Sequence, residues 1–197
     1  MRFMLVATEA SIVYRASGPR GAADLSGPLF KPVVKALASD GYVPKTVGYL
    51  ATLLPDITLA QLIHTMKILT ATGEVSPAQD DHEAQAAKAR TDALNRQLIA
   101  RAVLGRDPVS FLASPVTASG IPFSRLEVLF MSAILQGMTS PAEWAYASAT
   151  VLNSQGEVLA VGQRVLSSAD DLAAGLGELA LDFAKNRLDL LRALMVI

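Results

Sequence analysis

The stretch TLAQLIHTMKILTATGEV, residues 58–75, decides the fold of the first part of the chain. It opens with a capping box: the Thr58 hydroxyl can accept from the backbone N–H of Gln61, while the Gln61 side chain reaches back. Apolar residues then recur every three or four positions and form one helical stripe. The stripe consists of Leu59, Leu62, Ile63, Met66 and Leu69. Gly73 ends the helix, and an extended segment begins at Glu74-Val75.

Two shorter helices are predicted just before this stretch. The first covers residues 29–38 and the second residues 45–54, where Pro55 stops it. Three short helices with tight turns and a following extended segment are typical of a helix-turn-helix or winged-helix core. Further upstream, the β-forming runs from Phe3 to Val6 and from Ile12 to Tyr14 predict two leading strands.

The second half of the chain also has a helical pattern. Capping boxes predict helix starts at Ser124 and Ser140. A small hairpin is predicted over residues 158–166, around Gly162. Leucines at a spacing near 3.5 predict a long terminal helix with an apolar seam from about Asp170 to Leu194.

These patterns together predict a mainly α fold with minor β, made of a winged-helix-like part and a helical part with a small β-hairpin. The predicted organisation has leading strands in residues 1–21, the winged-helix-like domain in 22–78, a linker or exposed helix start in 79–91 and a helical C-terminal domain in 92–197.

Composition excludes several classes of protein. Hydrophobic residues make up 51% of the 197 residues and charged residues 18%, so a packed core is available and global disorder is not expected. The net charge of −1 gives no electrostatic reason to bind nucleic acid. The absence of cysteine excludes disulfides and thiolate chemistry. The mean hydropathy of +0.36 is high, and we interpret the excess as apolar surface meant for a partner.

The sequence predicts no catalytic, cofactor-binding or metal-binding residue in this chain. His64 lies inside a predicted helix without a second histidine nearby, which favours a structural or surface role. His82 sits in the acidic run of residues 80–83, which lacks the glycine turn of a calcium loop and fits a solvated helix start better.

The run Phe3 to Ala7 is too short for a signal peptide core, and no stretch approaches a membrane span, so a cytoplasmic protein is expected.

Residues 111–122, FLASPVTASGIP, are uncharged and rich in proline, glycine, serine and threonine. Such a segment between two helices predicts a shaped surface loop, and such loops often carry recognition. Its interaction candidates are Ser114, Thr117, Ser119 and Gly120. The alternative is that the prolines and glycine only shape a chain crossing.

With these segments in order, the chain resembles a known family. The matching features are Pro28-Leu29, Lys35-Ala36-Leu37, Thr58-Leu59, Gly73-Glu74-Val75, Asn95-Arg96, the 111–122 segment with Leu126 and Phe130, Phe183-Ala184, Arg187-Leu188 and Leu191-Arg192-Ala193-Leu194. Their order is similar to the C-terminal region of bacterial class I SAM-dependent methyltransferases with a methyltransferase regulatory domain. That group includes protein-lysine methyltransferases that act on outer-membrane proteins.

The resemblance implies a non-catalytic accessory, regulatory or substrate-recognition region, with SAM bound by a separate catalytic domain or subunit and a protein as the possible substrate. The glycine-rich SAM-binding half is absent from these residues, and Met195 stands where the family pattern has glycine. Two alternatives remain open: a winged-helix DNA-binding regulator contacting phosphates through Lys31, Lys35 and Lys67, which are few cations for that task, and an interaction scaffold dimerising through the terminal helix.

Overall fold

The computed structural model describes residues 1–19, 21–105, 109–157, 159–161, 164–166 and 169–197. Helices account for 59% of the structure and strands for 15%, which confirms the prediction of a mainly α fold with minor β. The chain forms two compact units. The first contains Met1–Ala87, Pro115–Ala118 and Asp189–Met195, and the second contains Lys88–Ser114, Ser119–Leu188 and Val196–Ile197.

The first unit contains a small sheet and three short helices. Its elements are β1 (Arg2–Leu5), β2 (Arg15–Gly18), β3 (Gly21–Asp24), α1 (Phe30–Ala38), β4 (Lys45–Thr46), α2 (Val47–Leu53), α3 (Leu59–Ala71) and β5 (Val75–Ala78). The leading strand β1 lies in the middle of an antiparallel sheet in the order β4-β1-β5, and β2 and β3 form a separate hairpin. Phe3 is opposite both Lys45 and Pro77 in this sheet. Pro77 is tolerated because β5 is an edge strand.

The strand predicted from Ile12 to Tyr14 is wrong, since these residues precede β2 and form no strand. Ile12 is instead buried in the core. That core is formed by Leu5, Ile12, Val33, Val34, Leu37, Leu50, Ile57, Leu62, Met66, Leu69 and Val75. A residue that favours β-strands can therefore be buried in the core without pairing with another strand. β-Propensity alone does not separate these two roles.

The helix predicted to begin at Lys45 begins two residues later. Lys45 and Thr46 form β4, and Thr46 caps α2 by accepting from the N–H of Tyr49. Lys45 is buried, and its ammonium donates to the carbonyls of Ser39 (2.7 Å) and Val43 (3.3 Å). Burial lowers the pKa of Lys45, while the charge of Asp40 opposes that shift. The ammonium thus satisfies carbonyls just beyond the end of α1.

A long helix follows β5. Helix α4 (Asp81–Val103) includes most of the segment predicted as a linker or exposed helix start. Its first turn carries Asp81, which accepts from the guanidinium of Arg2 at 2.9 Å. A carboxylate at this end of a helix also interacts favourably with the helix dipole.

The second unit contains the later part of α4, two hairpins and three further helices. Its elements are β6 (Phe111–Ser114), β7 (Ser119–Pro122), α5 (Arg125–Leu135), α6 (Pro141–Ser154), β8 (Leu159–Val161), β9 (Arg164–Leu166) and α7 (Ala169–Asp182). Strands β8 and β9 pair as predicted, and the turn predicted at Gly162 lies outside the described residues. The predicted capping boxes at Ser124 and Ser140 are both present.

The predicted terminal helix is continuous but contains a π-helical turn. Residues Phe183–Arg187 form this turn after α7, and α8 (Leu188–Ala193) follows it. Phe183 lies in the turn, with its ring centroid 5.5 Å from that of Phe130 and 6.2 Å from that of Trp144. The indole N–H of Trp144 donates to the carbonyl of Met138 at 2.9 Å. The π-turn thus contributes the central ring of an aromatic cluster in the second unit.

The capping box at Ser140 predicts a pH effect. The backbone N–H groups of Ser140 and Thr139 donate to Glu143 at 2.8 and 2.9 Å, and the Ser140 hydroxyl adds a third bond. These bonds hold the pKa of Glu143 below its usual value of 4.5. A lowered folded-state pKa contributes stability above pH 4.5, and that contribution is lost as the pH falls through the folded-state value.

Glu143→Gln keeps the acceptor but removes the titration. We expect the wild type to be the more stable form at pH 7 and this advantage to shrink as the pH falls below 4.5, as measured by urea unfolding of both proteins at pH 7 and at an acidic pH. An advantage that is the same at both pH values would contradict the capping role of the carboxylate.

Candidate binding surfaces

Residues 111–122 form a β-hairpin with several buried residues, so the prediction of a shaped surface loop is wrong. Strands β6 and β7 pair antiparallel, with Leu112 opposite Ile121 and Ser114 opposite Ser119. Leu112 and Ile121 are both fully buried, which gives each short strand one core-facing side. Pro115 lies in the turn and Pro122 at the strand end, where proline does not interrupt a central ladder.

Asn95 attaches this hairpin to α4. Its side-chain amide donates to the carbonyl of Ala113 at 2.8 Å, and its amide oxygen accepts from the N–H of Ala113 at 2.8 Å. Asn95 is only 3% exposed, so these bonds form away from water. The side chain therefore satisfies the outer edge of β6 in the manner of a neighbouring strand. Sequence reasoning singled out Asn95 only as part of the family pattern.

The four interaction candidates divide into two buried and two exposed residues. The side chain of Ser114 is 2% exposed and that of Thr117 is 9% exposed, so neither presents a surface to a partner. Ser119 and Gly120 are exposed. Phe111 lies over Gly120, where an added Cβ would be 3.2 Å from the Cβ of Phe111. The exposed residues of the hairpin are Phe111, Ala118, Ser119, Gly120 and Pro122.

The turn of the hairpin contains a strained residue. Ala118 has a φ of 51°, in the left-handed region that side chains with a Cβ disfavour, and it is exposed. Ala118→Gly should raise the free energy of unfolding by about 0.5–1 kcal/mol, because glycine relieves the strain. The matched control is Ala100→Gly on the exposed side of α4, which should lower it by about 1 kcal/mol. Chemical unfolding of both variants checks the prediction, and equal destabilisation by both would contradict it.

A second surface lies on α3 in the first unit. The stripe predicted as one face divides: Leu62, Met66 and Leu69 enter the core, whereas Leu59 is 55% exposed and Ile63 is 39% exposed. Periodicity locates the apolar side of a helix but not its edges, so the two groups looked alike in the sequence.

The exposed edge borders an apolar groove of about 410 Å³. It is lined by Phe3, Val47, Ile63, Met66, Lys67, Thr70 and Ala71. Lys67 is the cationic residue of this lining. Helices α1, α2 and α3 carry Lys31, Lys35, His64 and Lys67 and no carboxylate. We call the apolar groove lined by Phe3, Val47, Ile63, Met66, Lys67, Thr70 and Ala71 the α3 groove.

A cavity of about 470 Å³ lies in the second unit, but its arginine is already engaged. Arg125 donates to the carbonyl of Ala102, to Gln155 at 2.6 Å and to Glu157 at 2.9 Å. These bonds connect the end of α4, the start of α5 and the end of α6. The arginine therefore has a structural role that accounts for its donors.

Two titratable groups of the first unit, Tyr14 and Glu74, have raised pKa values. Burial, together with the charges of Glu9 and Glu74, raises the pKa of Tyr14, and burial raises the pKa of Glu74. The ammonium of Lys31 lies 5.7 Å from the centre of the Tyr14 ring. Tyr14 thus stays protonated at neutral pH and acts as a cation–π partner.

The described residues contain no group of three or more histidine, cysteine, aspartate or glutamate side chains that could hold a metal ion. His82 is exposed in the first turn of α4, next to Asp81, which pairs with Arg2. His64 is exposed on α3. In the part of the chain that the structure describes, no helix combines the length and apolar character needed to cross a membrane.

Comparisons with known proteins identify a similar but longer chain. Uncharacterized protein sll1526 of Synechocystis sp. is 29% identical over 197 residues, and the match covers 98% of this chain. The chain spans 37% of the length of that relative. No protein-family model matches the chain. No solved structure matches it either.

Proposed function

We propose that this chain is a non-catalytic accessory region of a SAM-dependent methyltransferase, acting in the cytoplasm on a protein substrate. SAM would be bound by a separate catalytic domain or subunit, and this chain would recognise the substrate or regulate the enzyme. The proposal rests on the resemblance to the regulatory-domain methyltransferases, and the observation that carries it concerns the residues of that pattern.

That observation is the set of contacts among distant motif residues. Asn95 forms two hydrogen bonds with Ala113, and Arg187 donates to the carbonyl of Pro122 at 2.9 Å. Arg187 also pairs with Glu127 at 3.1 Å. Three separate parts of the family pattern thus meet at one hairpin in the second unit. Because these motif residues contact one another, they support the interpretation that the pattern marks a single domain.

A second observation concerns the position where the family pattern has glycine. Met195 has a φ of 54°, and its N–H donates to the carbonyl of Arg192 at the end of α8. Glycine is the residue that most readily adopts this conformation after a helix. The backbone at Met195 is therefore the one that the family pattern implies, although the residue differs.

The relative supports a multidomain context. More than half of that protein lies outside the part that matches this chain, which leaves room for a further domain. The exposed Leu59 and Ile63 of α3 support a protein partner over DNA, because apolar side chains form no hydrogen bonds with base edges.

The test uses the protein as its source cell makes it. An epitope tag on the chromosomal copy allows the native assembly to be isolated. Irradiation in the presence of radiolabelled SAM then cross-links SAM to its binding site, and mass spectrometry identifies the labelled peptides. We expect methyl transfer by the assembly and SAM-labelled peptides outside residues 1–197. Labelled peptides inside residues 1–197 would overturn the non-catalytic role. An assembly with neither SAM labelling nor methyl transfer would overturn the methyltransferase context.

The same assembly tests the hairpin as a recognition surface. Phe111 is 58% exposed, so Phe111→Ala should leave SAM labelling unchanged and lower methyl transfer several-fold. The matched control is Tyr146→Ala, which removes a 71% exposed aromatic side chain from α6. Equal activity in the two variants would argue against a role for the hairpin.

A further inference from the structure

An exposed aspartate precedes the exposed edge of α3, and an exposed lysine lies toward the end of that edge. Leu59, Ala60, Ile63, Lys67 and Thr70 are all exposed, and their spacing places them on one side of the helix. Asp56 is exposed just before the N-cap Thr58. The stripe from Leu59 to Thr70 is about 16 Å long at 1.5 Å per residue. It therefore has an acidic start, an apolar middle and a basic residue near its end.

The two charges do not neutralise each other within one chain. About three helical turns separate Asp56 from Lys67, which is too far for an ion pair. Among the described residues, neither side chain has an ion-pair partner. A surface with unpaired charges of opposite sign at its two ends is complementary to itself when reversed.

We propose that the α3 groove and the exposed edge of α3 bind a second copy of this chain, with the two α3 helices antiparallel. In this arrangement Lys67 of each copy faces Asp56 of the other. This pairing puts the twofold axis between Gln61 and Leu62, so the exposed Ile63 of each copy faces Ala60 of the other close to the centre of the interface. Ala60 is small and permits close approach of the helices at that point.

The observations favour a second copy over other partners. An isologous interface needs one patch that complements itself, and the charge order along this stripe meets that condition. An acidic helix from another protein would be attracted by Lys67 but repelled by Asp56. The apolar centre with a charged rim is also the usual anatomy of a protein interface. This interface differs from one along the seam of the terminal helix.

Sedimentation velocity of the isolated chain, from micromolar to about 100 µM, tests the proposal. We expect a dimer for the wild type. Lys67→Glu and Asp56→Lys each place like charges together at both ends, so each variant should weaken association at least tenfold. The double variant, Asp56→Lys with Lys67→Glu, restores opposite charges and should recover the dimer. Circular dichroism verifies that the variants remain folded.

Matched controls locate the interface. Lys35→Glu changes an exposed lysine of α1, and Leu181→Asp changes an exposed leucine of α7; neither should alter the dimer. A monomeric wild type, a double variant that stays monomeric, or loss of the dimer in Leu181→Asp would overturn the proposal. Because the assay needs neither SAM nor a methyl acceptor, its outcome is independent of the proposed function.

Discussion

Replacing Phe183 by alanine should lower the free energy of unfolding by about 3–5 kcal/mol, the range for a large-to-small change at a buried phenylalanine. Phe183 is 4% exposed and contacts both Phe130 and Trp144 through their rings. Its removal loses the burial of one aromatic side chain and the two ring interactions. The cavity would lie at the π-turn, where the terminal helix adds an extra residue to one of its turns.

Equilibrium unfolding in urea, followed by tryptophan fluorescence, measures the effect, because Trp144 is the single tryptophan of the chain and contacts Phe183. The control is Phe111→Ala, an identical change at an exposed side chain, which should cost less than about 1 kcal/mol. Comparable losses in the two variants would mean that the aromatic cluster does not organise the second unit.

Replacing Asn95 by leucine should lower the free energy of unfolding by about 2–4 kcal/mol. Leucine has the same number and branching of side-chain heavy atoms as asparagine but leaves the N–H and the carbonyl of Ala113 without their partners. Each buried polar group left without a hydrogen bond costs about 1–3 kcal/mol. The loss therefore reports on the hairpin rather than on the packing of α4.

Hydrogen exchange distinguishes a local effect from a global one. In Asn95→Leu the amides of Leu112 and Ile121 should exchange faster than in the wild type, while those of α3 should lose no more protection than global destabilisation accounts for. Asn153→Leu is the matched control, since Asn153 is exposed near the end of α6, and it should change stability by less than about 0.5 kcal/mol. If both asparagine variants were equally stable, Asn95 would not hold the hairpin.

Local signals along the chain were good guides to helix starts. The capping boxes at Thr58, Ser124 and Ser140 all form, because each depends on residues three positions apart. The start of α2 was misplaced by two residues, because Lys45 is drawn into β4 by pairing with Phe3, a residue far away in the sequence. Boundaries set by a distant partner leave no local pattern.

The candidate surfaces were less accessible to sequence reasoning. The 111–122 segment was predicted as a shaped surface loop, but it forms a hairpin that depends on buried Leu112 and Ile121 and on Asn95, which is 18 positions from its partner Ala113. The proline, glycine and serine residues of this segment predicted a turn but gave no indication of the two short strands around it. Ser114 and Thr117, two of the four interaction candidates, are buried in this hairpin.

Composition and neighbours within one or two helical turns were sufficient to predict the mainly α class, the capped helix starts, the apolar sides of those helices and the lack of cysteine chemistry. Contacts between distant residues were needed to place β1 between β4 and β5, to show that Asn95 completes the edge of β6, and to separate exposed Leu59 and Ile63 from buried Leu62 and Met66. These features depend on contacts between residues far apart in the chain. Local sequence patterns carry no information about the free energies of such contacts.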